Sequence, residues 1–354
     1  MIAMNARFRP GALRPLWCAV LAALTLAVSL TLGSAAQASH FRHGSIHWRV
    51  PDPQGAPNTV QLTATYAIVA GSMGTLQAID LNFGDATATG DVVGAIVGAA
   101  VDASGTSYEI REFTTSHTYA AAGSYTAFFQ NCCRIAGLIN CSGLDDRVES
   151  KVVVQAGNTT GPVSASPPVL QMQVGGTRTY TWPAIDPDGD LVTCRFGTQA
   201  EVGFANPTPV VPDPPGPGNG GQSPTLADVP DGCELTWDLI DVVAGQKYVV
   251  HVIFESTHDG QISSTALDLI VEMVLPPPPT CAGGGIFVVE PGQTLSQMTT
   301  GTNNVAGNLT VSTINAPAGS TLMPGGTGPS PFTNTFAWTP VLADAGTTIV
   351  MVNY

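Results

Sequence analysis

The sequence predicts an all-β protein, tandem β-sandwiches that follow a cleaved export signal. Strand-like runs rich in Val, Ile, Thr, Phe and Tyr recur along the chain, bounded by Gly, Pro, Asp and Ser. No long stretch after the signal holds a convincing helical period. The 39 glycines and 28 prolines among 354 residues make the chain rich in turns, while 44% hydrophobic residues supply real cores.

The signal comes first. Arg7, Arg9 and Arg14 charge the start, an apolar run covers Leu16–Leu32, and Ala36-Gln37-Ala38 forms a small-x-small cleavage site. Residues 1–38 are therefore expected to be removed, leaving Ser39 as the new N-terminus of a secreted or surface-displayed protein. Loss of those three arginines takes the formal charge from −14 to −17. Only two lysines occur, Lys151 and Lys247. So acidic a chain is unsuited to nucleic acid or an anionic membrane, and no second apolar stretch is long enough to span a bilayer.

Strands are expected at Val60–Val69, Ser124–Phe129, Lys151–Val154, Thr177–Trp182, Lys247–Phe254, Leu267–Val274 and Thr347–Val352. Val92–Val101 is the nearest approach to a helix, and its glycines argue against one. Gly157–Pro168 reads as a Ser/Thr/Pro/Gly linker and Pro276–Pro279 as a stiff extended spacer. The expected modules are 39–156, 162–275 with a long Pro/Gly loop at 206–224, and 281–354. The chain stops at Tyr354 within or just after the last expected strand, so the third module either ends there or belongs to something longer.

Six cysteines follow the signal, an even number that suits disulfides in an oxidising compartment. Proximity favours Cys141 with Cys132 or Cys133, and Cys194 with Cys233, while the other of Cys132 and Cys133 either reaches Cys281 or stays free. No CxxC pair or suitably spaced His supports a zinc site among them.

In the first module, Asn82-Phe83-Gly84-Asp85 precedes His117-Thr118-Tyr119 and Gly123-Ser124-Tyr125-Thr126. This pattern resembles the PKD-type domain, an immunoglobulin-like sandwich of extracellular proteins marked by W-D-F-G-D-G and then H-x-Y…G-x-Y-x-V. The resemblance implies a core role for Phe83 and Tyr125 and a tight turn at Gly84-Asp85. Leu81 stands where that family has Trp, and Ala86 where it has a second Gly. Ahead lies Ser39–Trp48, which resembles the S-H-F-R-x-G-x-I-x-W opening of some secreted surface proteins; the Cys-Cys-Arg-Ile run at 132–135 resembles one that accompanies it. On a strand His43 and His47 share one face and His40 takes the other, so a three-histidine zinc or copper site would need the chain to bend. An amphipathic first strand with Ile46 and Trp48 inward is the plainer expectation.

In the second module, Ala184-Ile185-Asp186-Pro187-Asp188-Gly189-Asp190 is followed later by His258-Asp259-Gly260. The pair resembles cadherin-like immunoglobulin modules of surface proteins. Asp186, Asp188 and Asp190 are alternating carboxylates on a sharply folding loop, as a hard cation such as calcium requires, and Asp259 is a further candidate ligand. The alternative is an Asx turn in which the aspartates cap backbone N–H groups. In the third module, Phe336-Ala337-Trp338-Thr339-Pro340 and Asp344-Ala345-Gly346 resemble the closing strand of immunoglobulin repeats in bacterial secreted proteins.

No G-x-S-x-G, H-E-x-x-H, P-loop or dinucleotide glycine motif occurs. His251 reads as a half-buried strand residue and Asp145-Asp146 as a solvated turn. The expected function is non-catalytic adhesion or extracellular binding to a protein or polysaccharide, stiffened by calcium if the Asp loop binds it. The alternatives are a carbohydrate-binding accessory protein, or a fragment of a larger secreted hydrolase or adhesin. Trp48, Trp182, Trp237 and Trp338 are expected inside rather than on a binding face.

Overall fold

The computed structural model describes residues 40–72, 77–131, 133–140, 145–203, 224–230, 232–275, 277–303, 307–346, 348 and 350–354. The segment expected to be an export signal, Cys132, Cys141 and the loop 206–224 up to its last residue lie outside them. The regular secondary structure of the described residues is strand, apart from one helical turn at Gln199–Val202 and a single turn of 3₁₀ helix at Leu342–Asp344.

The first eight strands are β1 (Phe41–Arg49), β2 (Thr59–Val69), β3 (Ala78–Asn82), β4 (Ala88–Val93), β5 (Ala95–Val101), β6 (Ser107–Thr118), β7 (Gly123–Asn131) and β8 (Asp146–Val154). Strand β2 shows why they form. Val60, Leu62, Ala64, Tyr66 and Ile68 point into one core, while the alternate threonines turn outward. On that outer face Thr59 and Thr63 bond the hydroxyls of Thr118 and Thr114 on β6 at 2.9 and 3.0 Å. The run once compared with a helix is two strands, β4 and β5, separated by Gly94 and carried to opposite ends of the sheet path. The core between β3–β7–β8 and β1–β2–β6 holds Ile46, Trp48, Leu62, Leu81, Phe129 and Val152.

The next eight are β9 (Val163–Ser164), β10 (Val169–Gln173), β11 (Thr177–Ile185), β12 (Val192–Phe196), β13 (Thr225–Val229), β14 (Gly232–Asp238), β15 (Lys247–His258) and β16 (Gln261–Val274). The sheet β13–β14–β11–β9 packs on β12–β15–β16–β10. Trp182, Trp237, Leu235, Val250, Phe254 and Leu269 fill the space between. A disulfide from Cys194 on β12 to Cys233 on β14 ties the two sheets together, as expected from their spacing. Strands β17 (Thr280–Ala282), β18 (Leu295–Thr302), β20 (Thr321–Met323) and β22 (Phe332–Trp338) form a further sheet in the order β17–β18–β22–β20. Strands β19 (Asn308–Ile314), β21 (Gly326–Pro329) and β23 (Met351–Asn353) form the sheet beside it. Of the expected interior tryptophans, Trp48, Trp182 and Trp237 are buried and Trp338 is half-buried.

The segments do not hang as beads on linkers. Strand β16 pairs with β15 along one side, and on the other meets β8, then β1, then the parallel β10. A further cluster joins all three segments, with Ile110, Leu138, Val169, Ile270 and Ile314 in mutual contact. The stretch read as a linker is bonded along its length. Asn158 is buried, donating to the Val153 carbonyl; Val163–Ser164 pairs with β11; and the Pro162 carbonyl accepts from Thr265. It behaves as a splice because its Asn, Thr and Ser side chains find backbone partners that a solvated linker would leave to water.

The turn after β3 contains one conformational cost. Ala86 holds φ of +70°, the left-handed region that disfavours a residue with a Cβ. Ala86→Gly is expected to stabilise the fold by roughly 0.5–1 kcal/mol, the relief of that conformation less the added entropy of glycine in the unfolded chain. A thermal melt checks it, and an unchanged or lower melting temperature counts against this account of the turn.

Candidate functional site

The turn at Asn82–Asp85 and the end of β6 build one rigid cluster. The Phe83 and His117 rings stack at 4.1 Å, and Tyr119 stacks on Tyr125 at 4.0 Å. His117 Nε2 meets Asp85 Oδ2 at 2.7 Å, and the Tyr119 hydroxyl donates to the Phe83 carbonyl at 2.9 Å. The Thr87 hydroxyl first, and His117 after it, hold the Asp85 carboxyl below its ordinary range. Phe83 is buried as expected, whereas Tyr125 is half-buried against the core. The motif is a structural clasp that fixes a strand entry.

The aspartate loop is a second clasp. Asp188 Oδ2 accepts the backbone N–H groups of Thr159 at 2.6 Å and Thr160 at 2.8 Å, and its Oδ1 accepts the Thr159 hydroxyl. Asp186 Oδ1 accepts from the Asp188 N–H and the Thr160 hydroxyl. Asp190 pairs with His258 Nδ1 at 2.9 Å, which raises the pKa of that imidazole. Asp259 stands exposed in the following turn, 4.0 Å from His258. One oxygen, Asp186 Oδ2, is buried without a hydrogen-bond partner, and burial raises the pKa of its carboxyl. Among the described residues no three His, Cys, Asp or Glu side chains gather as a metal site. A cation here would have to draw Asp188 away from Thr159 and Thr160.

The histidines of β1 lie as a pair. His43 and His47 share a strand face, and their Nδ1 atoms are buried without a hydrogen-bond partner. Burial pushes both pKa values down to about 4, against opposing bonds to the backbone of Asp268 and Pro162. His40 is buried beside them in sequence, its backbone N–H donating to the Cys133 carbonyl at 3.2 Å.

Against β15 and β16 runs a seam of buried charge that sequence reasoning missed. Arg134 Nη1 lies 2.5 Å from Asp268 Oδ1, and His251 Nδ1 lies 2.8 Å from Asp268 Oδ2. These pairings hold the Asp268 carboxyl below its ordinary range against the cost of burial. Asp146 is fully buried at the start of β8, which corrects its reading as part of a solvated turn; burial pushes its carboxyl well up despite Arg134 nearby. His251 is fully buried rather than half-buried. Further along, Asp102 Oδ2 meets Arg42 at 2.9 Å and Lys247 at 3.1 Å, and Lys247 also meets Glu272 at 3.2 Å. The signal was present in the apolar run Ala266–Val274, where Asp268 and Glu272 fall four apart on one strand face. A charge inside a strand covered on both faces must find a partner.

Cys133 is disulfide-bonded, while Cys132 and Cys141 lie outside the described residues. Cys281 is free and exposed on β17. Beside it Ile286, Phe287 and Val288, the last 98% exposed, border an open groove of about 500 Å³ with Gln293 and Leu295. No described helix is long and apolar enough to cross a membrane.

The fold is that of an all-β protein built of β-sandwiches. Within it, residues 42–155 match the family model of the N-terminal region of integrin beta-like proteins A–E. Among solved structures, an I-band fragment of titin is 12% identical over 82% of this chain and 88% of its own, with a TM-score of 0.17. A tandem of titin immunoglobulin domains is 14% identical over 66% of this chain and 97% of its own, at 0.19. An endo-fucoidan hydrolase of glycoside hydrolase family 107 is 15% identical over 82% of this chain and 40% of its own, at 0.22. Likenesses at that level say nothing of activity. Comparison with curated protein sequences finds no match.

Two outcomes follow from these geometries. Between the ordinary histidine pKa of 6.5 and about 4, the unfolded chain takes up protons that folded His43 and His47 refuse, so stability is lost as pH falls through this window. Asp146 acts with the opposite sign, since its raised pKa lets the folded state gain the proton first. Asp186 and Glu112, whose carboxyl pKa values burial also raises, act with Asp146, so these carboxyls offset part of the histidine loss. Denaturant midpoints measured across this range check the slope; Asp146→Asn steepens it and His43→Gln flattens it. The second outcome concerns the clasp: Asp188→Ala is expected to cost roughly 0.5–1.5 kcal/mol by removing its hydrogen bonds to Thr159 and Thr160. Melts of wild type and variant with millimolar calcium or excess chelator read this out. A loss equal in both media is the clasp alone, and a calcium-dependent rise in the wild type that the variant lacks shows a cation in the loop.

Proposed function

We propose that this chain is an exported, non-catalytic protein that works by adhesion or extracellular binding, its partner an extracellular protein or polysaccharide. The match of residues 42–155 to the integrin beta-like family model is the observation that carries this reading. The export signal expected at 1–38 and the strongly acidic, lysine-poor composition agree with it. The clasps support it in another way. Several side chains most suggestive of chemistry in the sequence, His117, Asp188 and His251, are engaged in bonds that hold the fold. Calcium bound at the aspartate loop would stiffen the second segment, where the orphaned Asp186 Oδ2 is the oxygen available to it.

Polysaccharide recognition usually needs a row of exposed aromatic faces; Trp48, Trp182 and Trp237 are buried, Trp338 is half-buried, and among the described large hydrophobics Phe287 is the aromatic that stands exposed. A protein partner is therefore the favoured class. Beads coated with the chain from Ser39 onward are expected to be retained on immobilised extracellular proteins or whole cells well above albumin-coated beads, and not on chitin or cellulose. Retention on the polysaccharides alone would favour the carbohydrate-binding alternative. Retention on none of them would sink the adhesion reading.

A further inference from the structure

The seam contains an arrangement that ion pairing alone does not explain. Lys247, one of only two lysines, opens β15 with its side chain largely withdrawn from solvent. Its Nζ lies 3.1 Å from Asp102 Oδ2, 3.2 Å from Glu272 Oε1 and 3.1 Å from the Ser104 hydroxyl. Both carboxylates are almost wholly buried. Asp102 Oδ1 accepts the backbone N–H groups of Ser104 at 3.0 Å and Thr106 at 2.9 Å, together with the Ser104 hydroxyl. Arg42 Nη1 sits on Asp102 Oδ2 at 2.9 Å and stands over the Tyr108 ring. Glu272 Oε2 is fixed by the Ala103 N–H at 2.7 Å, which aims Oε1 at the lysine.

We propose that this is a condensation site, in which Lys247 Nζ and Asp102 Cγ join as an intramolecular amide. Each part of an acyl-transfer centre is present: an amine nucleophile, a carboxylate base, and two N–H donors on the oxygen where charge develops. Glu272 Oε1 takes one proton from the lysine ammonium and passes it to Asp102 Oδ2, so that the neutral acid rather than the anion is attacked. The freed nitrogen lone pair then attacks Asp102 Cγ, the N–C bond forms, and the carbonyl electrons move onto Oδ1, held by the Ser104 and Thr106 N–H groups. Glu272 relays a second proton from the nitrogen to Oδ2. The Cγ–Oδ2 bond breaks, its electrons leave with the oxygen as one water, the Oδ1 electron pair re-forms the carbonyl, and Glu272 regains its starting form. Arg42 stabilises the departing oxygen throughout. The ammonium and carboxylate charges vanish together, so no oxidant, reductant or further reactant is needed. The product removes two charges from a buried site, where they are costly to keep. It also staples the β5–β6 turn of the first segment to β15 of the second.

Mass spectrometry of the purified, disulfide-reduced full chain tests this. The expected result is an intact mass lower by one water, about 18 Da, with trypsin unable to cut after Lys247 and a cross-linked peptide carrying Lys247 and Asp102. Lys247→Arg keeps the charge but cannot condense, and Glu272→Gln removes the proton relay, so both should show the full mass. Full wild-type mass together with ready tryptic cleavage after Lys247 overturns the proposal. That wild-type measurement is decisive even if a variant fails to fold.

Discussion

The double burial of β16 is the constraint on which the rest depends. One face of this strand presents Leu267, Leu269, Val271 and Met273 to the core of the second sandwich. The other presents Ala266, Asp268, Ile270 and Glu272 to the first sandwich and to the cluster that reaches the third segment. Buried on both faces of the strand, Asp268 is tolerable only because Arg134 and His251 reach it, and Glu272 because the Ala103 N–H and the Lys247 nitrogen donate to it. Deleting one partner of such a pair leaves an uncompensated buried charge, worth about 3–5 kcal/mol, whereas the intact pair contributes little net stability. The seam therefore specifies which surfaces meet more than it strengthens their meeting.

Much of the architecture was legible because strands announce themselves locally. Alternation in β2, the Gly/Asp turn after β3 and the Cys194–Cys233 spacing are all short-range patterns that the fold realises directly. What was hidden is long-range. Nothing near Ser264 signals that it lies opposite Lys151, nor near Leu269 that it lies opposite His43. The Ser/Thr/Pro/Gly composition of 157–168 suits a linker or a hydrogen-bonded splice equally well. Only the neighbours Val153, Ser263 and Thr265 decide between them.

The chemistry-bearing residues divide in the same way. Asp186, Asp188 and Asp190 were visible as a loop rich in oxygen, but whether those oxygens face a cation or Thr159 and Thr160 depends on where the preceding segment docks. His43 and His47 were correctly placed on one strand face, while their burial follows from β16 lying alongside β1. Asp145-Asp146 looked like surface because paired acids usually are. Asp146 is drawn inward as the first residue of β8, within the influence of Arg134.

The pairing of β1 with β16 also sets an order of events. During synthesis β1 is made early, and its neighbour β16 is made only after most of the chain has emerged. Until then Gly44 and Ser45 have an open edge toward β16, and the apolar and imidazole groups beside them lack cover. Contacts so distant in sequence are slow to form. An unpaired strand edge is in the meantime a template for the wrong neighbour. The first sandwich therefore completes its cover late, when β16 is delivered after most of the chain.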